Sequence, residues 1–105
     1  MFTDVANFTH FMSVDEKKSL DFLEQKKTTL SNLVQSLGGE YVKDIGDGAL
    51  TYFSSVDNAL KCAIELQHSL IKISKMEIRI GIHYGEIISV NNDIYGILSL
   101  LSKLK

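Results

Sequence analysis

The chain has 105 residues, a length typical of one small domain. With 11 lysines and arginines against 13 acids, its net charge of −2 argues against a nucleic-acid-binding surface and a polybasic membrane segment. Hydrophobic residues make up 45% of it, which excludes a disordered chain. Neither a membrane-spanning apolar run nor a signal peptide is visible, and Cys62 is the single cysteine. We therefore expect a cytoplasmic protein that binds no nucleic acid.

The first half of the sequence predicts a strand, a long helix and a hairpin. Residues 2–5 form a short, strand-like apolar start. Ser13 and Glu16 have the spacing of a capping box, and leucines then recur at helical spacing until the glycines at 38–39 end the helix. Two β-prone runs at 40–45 and 49–53 flank a Gly-Asp-Gly centre, which is typical of a hairpin.

The second half predicts a helix, two strands and a short C-terminal helix, in order at 56–73, 78–82, 87–90 and 97–104. The resulting order is β-α-β-β-α-β with a strand and a helix appended. This is the ferredoxin-like order, an α+β fold in which two helices pack against an antiparallel sheet. The sequence therefore predicts that strands one and three are neighbours at the centre of the sheet.

Two acids are expected to meet at one end of that sheet. Asp4 follows the first strand, and Asp47 lies at the tip of the hairpin. Adjacent carboxylates repel each other unless a cation lies between them, and Mg²⁺ prefers such oxygen ligands. Ordinary structural roles, a turn residue for Asp47 and a helix cap for Asp4, remain open from the residues alone.

Five segments of the chain, taken in order, resemble motifs of the class III nucleotidyl cyclases, the adenylate and guanylate cyclase catalytic domains. They lie at residues 2–9, 38–48, 59–67, 79–87 and 93–96, and the first two read FTDVANFT and GGEYVKDIGDG. The resemblance is greatest to the bacterial members. Because the family domain continues with further strands, residues 1–105 are expected to be a partial, C-terminally truncated catalytic domain.

The resemblance implies a reaction and the residues for its phosphate chemistry. The family converts a purine nucleoside triphosphate into a 3′,5′-cyclic monophosphate and pyrophosphate. Asp4, Asp47 and the carbonyl of Val5 are implied to hold two Mg²⁺ or Mn²⁺ ions. One ion lowers the pKa of the ribose 3′-hydroxyl and the other neutralises the triphosphate. Three backbone amides are implied to contact the phosphates, those of Asn7, Phe8 and Thr9.

The resemblance also implies how the base is read. Lys43 and Asp93 align with the residues that the family uses for the purine. A lysine donor and an aspartate acceptor complement the N1 and 6-amino groups of adenine, whereas guanine presents the opposite pattern. We therefore expect ATP to be preferred over GTP. Because the family builds each site between two subunits, a homodimer is implied as well.

The chain departs from the family in the motif that follows Gly96. The family has an asparagine and an arginine there, which stabilise the transition state. Aligned without a gap, these positions are Leu100 and Leu104; with one deletion, which fits the apolar positions better, they are Ser99 and Lys103. Lysine lacks the bidentate fork of arginine, and losing one such donor costs about 10²–10³ in rate. The alternative is therefore a catalytically inactive cyclase-like module that binds nucleotide or regulates a partner by dimerisation.

Overall fold

The computed structural model of the chain describes residues 1–74 and 76–83 in full and the backbone of residues 89–90 and 93–94. In chain order the elements are β1 (Phe2–Val5), α1 (Phe8–Val14), α2 (Glu16–Ser36), β2 (Glu40–Ile45), β3 (Gly48–Tyr52), α3 (Val56–Ile71), β4 (Ile78–Gly81), β5 (Ser89–Val90) and β6 (Asp93–Ile94). No helix in this part of the chain has the length and apolarity needed to cross a membrane.

The main sheet is antiparallel and has the strand order β2-β3-β1-β4. The central strand β1 pairs Thr3 with Ala49 of β3 and with Ile80 of β4. The prediction that the first and third strands are neighbours is confirmed, and so is the α+β fold class. β5 and β6 pair with each other in a separate hairpin. The predicted C-terminal helix, with Ser99 and Lys103, lies outside the described residues.

The two faces of the sheet have different surroundings. Because side chains alternate along a strand, Thr3 and Val5 point to one face and Phe2 and Asp4 to the other. The first face is the helix face, where the core lies against α2 and α3 and contains Met1, Val5, Phe22, Leu30, Val34, Ala49, Cys62, Leu66 and Leu70. We call the opposite face, which carries Phe2 and Asp4, the open face.

The predicted start of the first long helix at Ser13 is wrong. Ser13 lies inside α1, where its hydroxyl donates to the carbonyl of His10 at 2.6 Å. Asp15 instead caps α2 from an extended backbone, and its Oδ1 accepts from the amide of Lys18 at 3.0 Å. Aspartate and serine cap helices about equally well. The sequence is therefore compatible with a helix start at either Ser13 or Asp15. Ser55 caps α3, because its hydroxyl accepts from the amide of Asn58 at 3.1 Å.

The burial of Cys62 in the core can be tested by chemical labelling of its thiol. Its side chain is fully buried on α3, and burial raises the pKa of the thiol to about 11. We expect iodoacetamide at mildly alkaline pH to label the native protein at least about a hundredfold more slowly than the urea-unfolded chain, because only the exposed thiolate reacts. Cys62→Ala gives the background rate. Equal labelling of the native and unfolded chains would contradict this packing.

Candidate functional site

Asp4 and Asp47, the two acids predicted as metal ligands, lie at the same end of the sheet. Asp4 is in β1, and Asp47 is in the turn between β2 and β3. The Oδ2 atom of Asp47 accepts a hydrogen bond from the backbone amide of Val5 at 2.9 Å. Because β1 and β3 are paired, the hairpin tip reaches the end of β1. The structure thus brings the Asp47 carboxylate against the residue that follows Asp4.

Arg79 is a third charged residue at this end of the sheet. It lies directly opposite Asp4 in the pairing of β1 with β4. Its Nε and Nη2 atoms donate to the two carboxylate oxygens of Asp4 at 2.8 and 2.7 Å. These contacts with Asp4 also raise the pKa of the Arg79 guanidinium. Sequence reasoning assigned no role to Arg79, because only the strand register brings it to Asp4.

Lys26 approaches the same two acids from the helix face. Its side chain is 1% exposed, and its Nζ donates to the backbone carbonyl of Asp47 at 3.0 Å and to that of Thr3 at 3.4 Å. Burial lowers the pKa of Lys26 to about 8, although the charges of Asp47, Asp4 and Asp44 oppose this shift. Sequence reasoning missed Lys26, since a lysine in an amphipathic helix is almost never fully buried.

The oxygen atoms at this end of the sheet suit a hard divalent cation. Two carboxylates, from Asp4 and Asp47, and the Val5 carbonyl are ligand types that Mg²⁺ and Mn²⁺ accept. No group of three or more His, Cys, Asp or Glu side chains suited to a metal occurs among the residues described. The two carboxylates and the Val5 carbonyl therefore fit an ion that keeps coordination positions for water and substrate phosphate. An ion at Asp4 would share the carboxylate with Arg79, since each of its two oxygens accepts one hydrogen bond and keeps a second lone pair.

The predicted phosphate-binding residues follow β1 directly. Asn7 has a left-handed backbone, with φ of 57°, and precedes α1, whose first two residues are Phe8 and Thr9. The amide of Ala6 donates to the carbonyl of Glu77 at 2.8 Å, which attaches the start of this loop to the segment before β4. The first amides of a helix have no partner within the helix. The loop therefore follows Asp4 closely in the sequence, with amides at the start of α1.

The predicted base-reading residues lie on β2 and β6. Lys43 is opposite Leu50 of β3, and Leu50 is opposite Phe2 of β1, so this row belongs to the open face that also carries Asp4. Asp93 begins β6, and its side chain lies outside the described residues. Cα atoms of β6 come within 8 Å of those of β2. The structure thus brings together the two strands that carry Lys43 and Asp93.

A small cleft opens beside Asp4. It has a volume of about 160 Å³ and is lined by Phe2, Asp4, Arg79, Ile80 and Gly81. Pockets that enclose small-molecule ligands are usually about 300–1,000 Å³. The cleft is therefore too small to enclose a nucleoside triphosphate. A larger cavity of about 750 Å³, between the end of α3 and the start of β4, is lined by none of the predicted site residues.

Comparisons with known proteins show which family the chain belongs to. The family model described as the adenylate and guanylate cyclase catalytic domain matches residues 1–94. An adenylate cyclase of Streptomyces coelicolor is 30% identical over 106 residues, which cover 98% of this chain and 28% of that protein. An uncharacterized protein of Mycobacterium tuberculosis is 28% identical over 97 residues, which cover 90% of this chain and 26% of that protein. The chain thus spans about a quarter of the length of these relatives.

A solved structure is similar over nearly the whole chain. The crystal structure of an adenylate/guanylate cyclase/hydrolase from Silicibacter pomeroyi superposes with a TM-score of 0.75 at 26% identity. The superposition covers 97% of this chain and 64% of the other. Together with the family match over residues 1–94, it shows that the chain belongs to the adenylate and guanylate cyclase catalytic domain family.

Proposed function

We propose that this chain supplies the catalytic residues of an adenylate cyclase, which converts ATP into 3′,5′-cyclic AMP and pyrophosphate. One observation carries the proposal: the hydrogen bond from the Val5 amide to Asp47 Oδ2, which holds a second carboxylate at the end of the strand that carries Asp4. A paired-carboxylate site of this kind is what two-metal phosphoryl transfer requires.

In the proposed mechanism, Asp4, Asp47 and the Val5 carbonyl hold two Mg²⁺ or Mn²⁺ ions. When bound, these ions lower the pKa of the ribose 3′-hydroxyl and neutralise the triphosphate. The Val5 amide orients the Asp47 carboxylate through one oxygen and leaves its other oxygen available. The phosphates are proposed to receive hydrogen bonds from the backbone amides of Asn7, Phe8 and Thr9.

We assign base recognition to Lys43 and Asp93. The proximity of β2 and β6 supports a joint role, and both residues belong to one chain. A lysine donor and an aspartate acceptor match the hydrogen-bonding edge of adenine. Guanine would place a donor opposite the lysine and an acceptor opposite the aspartate. The proposed substrate is therefore ATP in preference to GTP.

The proposed active form is a homodimer in which the open faces of two copies meet. The cleft at Asp4 is too small for the nucleotide, so a second surface is needed to complete the site. In each site, Asp4 and Asp47 would come from one copy and Lys43 and Asp93 from the other. We assign the reaction to the cytoplasm, which supplies ATP and keeps a free thiol such as Cys62 reduced.

A second candidate is a catalytically inactive module that binds nucleotide or regulates a partner through its dimer. It is favoured by the sequence after Gly96. The residues that stabilise the transition state in the family are replaced there by Leu100 and Leu104 or, with one deletion, by Ser99 and Lys103. Calorimetry distinguishes the two candidates. Binding of ATP in the presence of Mn²⁺ without formation of cyclic AMP would support the inactive module.

The proposed function is tested by assaying the full chain with ATP and with GTP in the presence of Mn²⁺. We expect cyclic AMP as the main product. Lys43→Glu should lower the ATP/GTP ratio of kcat/KM by about 10- to 100-fold, because one mismatched buried hydrogen-bonding group costs about 1–3 kcal/mol. Lys61→Glu makes the same charge change on an exposed position of α3 and is the control. An equal ATP/GTP ratio in both variants would refute the role of Lys43.

A further inference from the structure

Lys26 is the one fully buried charged side chain in residues 1–74 and 76–83. Taking an ammonium out of water is costly unless several hydrogen bonds replace the lost hydration. Methionine or leucine would fill the same space without this cost. The contacts of the buried ammonium must therefore offset this desolvation cost.

The ammonium of Lys26 connects two pieces of backbone that are far apart in the sequence. It donates to the carbonyl of Asp47 at 3.0 Å and to that of Thr3 at 3.4 Å. Asp47 carries one proposed metal ligand, and Thr3 directly precedes Asp4, which carries the other. Lys26 thus joins the end of β1 to the turn between β2 and β3 from the helix face.

A second contact holds the same turn independently. The amide of Val5 donates to the Asp47 carboxylate at 2.9 Å. Asp47 is consequently held at two points, through its carbonyl by Lys26 and through its carboxylate by β1. With both contacts present, the turn cannot move relative to β1 without breaking a hydrogen bond.

We propose that Lys26 is a positioning residue that sets the spacing of the Asp4 and Asp47 carboxylates for metal binding. Its positive charge also reduces the repulsion between these carboxylates before an ion is bound. Lys26 reaches the backbone and not the proposed substrate, so it acts through the two acids. The inference rests on the proposed function, since it concerns the same metal site.

The test is a titration of the full chain with Mn²⁺, in which electron paramagnetic resonance measures the concentration of the free ion at each step. Lys26→Met keeps the length and apolar stem of the side chain but removes the charge and the donors. We expect it to raise the Kd for Mn²⁺ by about 10- to 100-fold, as is usual when groups that support metal ligands are removed. The Mn²⁺ concentration for half-maximal cyclisation should rise in parallel.

Lys27→Met is the matched control, because Lys27 is the next residue of the same helix and is about one-third exposed beside Asp44. Its Kd for Mn²⁺ should equal that of the original protein. Urea unfolding of both variants shows whether the fold is retained. If Lys26→Met does not fold, Lys26→Gln, which keeps one donor group, is titrated instead.

A wrong metal site and a wrong role for Lys26 would give different results in these experiments. If the original chain binds Mn²⁺ no better than Asp47→Asn does, the metal site itself is wrong. If Asp47→Asn loses Mn²⁺ binding but folded Lys26→Met binds it like the original chain, only the role of Lys26 is refuted. Failure of both Lys26 variants to fold would assign the residue to folding and would also overturn the inference.

Discussion

Asp47→Asn is expected to abolish cyclase activity while leaving the fold intact. The amide oxygen of asparagine can still accept the hydrogen bond from Val5, which spans 2.9 Å, so the turn should keep its position. The negative charge proposed to attract the metal is lost. We expect kcat to fall more than about a hundredfold, because changes to groups that merely support metal ligands already cost about 10- to 100-fold. Cyclic AMP formation and the midpoint of urea unfolding are the measurements.

Asp44→Asn is the matched control for this change. Asp44 lies on the same hairpin, three residues earlier, and its carboxylate is 3.6 Å from the ammonium of Lys27 and accepts from the hydroxyl of Tyr41. Neither contact involves Asp4, Val5 or Asp47, so Asp44→Asn should retain activity. If Asp47→Asn and Asp44→Asn cyclise ATP at the same rate, Asp47 does not hold a catalytic metal.

The second large effect is expected from mixing two inactive variants. Asp47→Asn lacks a proposed metal ligand and Lys43→Glu lacks a proposed base-reading residue, so each should make little cyclic AMP alone. Co-expression should restore activity, because a mixed dimer contains one site with both functions intact. With random pairing, about a quarter of the original number of sites should be active, since half of the dimers are mixed and each has one good site.

A second pair of variants controls for a general effect of mixing. Asp47→Asn and Asp4→Asn both damage the metal side, so every site in their mixed dimer lacks one of the two acids. Their co-expression should leave activity at the level of the single variants. If both pairs recover equally, or if neither recovers while the dimers form, the site is not divided between two chains as proposed.

Local patterns were enough to predict most elements of this fold. The hairpin, the helix predicted from residue 56 and the neighbouring positions of the first and third strands all follow from periodicity, turn residues and element order. The predicted start of α2 was wrong because Ser13 and Asp15 are both good caps. The choice between them depends on how α1 packs after β1. The closeness of Asp4 and Asp47 was predictable because the order of strands places their ends together.

Local spacing and motifs were sufficient to predict the family, the element order and the placement of Asp4 and Asp47 at one end of the sheet. The surroundings of these two acids depend instead on long-range packing. Arg79 meets Asp4 only through the register of β1 with β4, and Lys26 reaches the carbonyls of Thr3 and Asp47 only through the packing of α2 on the sheet. Both contacts join residues more than 20 positions apart in the sequence, and the periodicity of a single helix or strand does not predict such a contact.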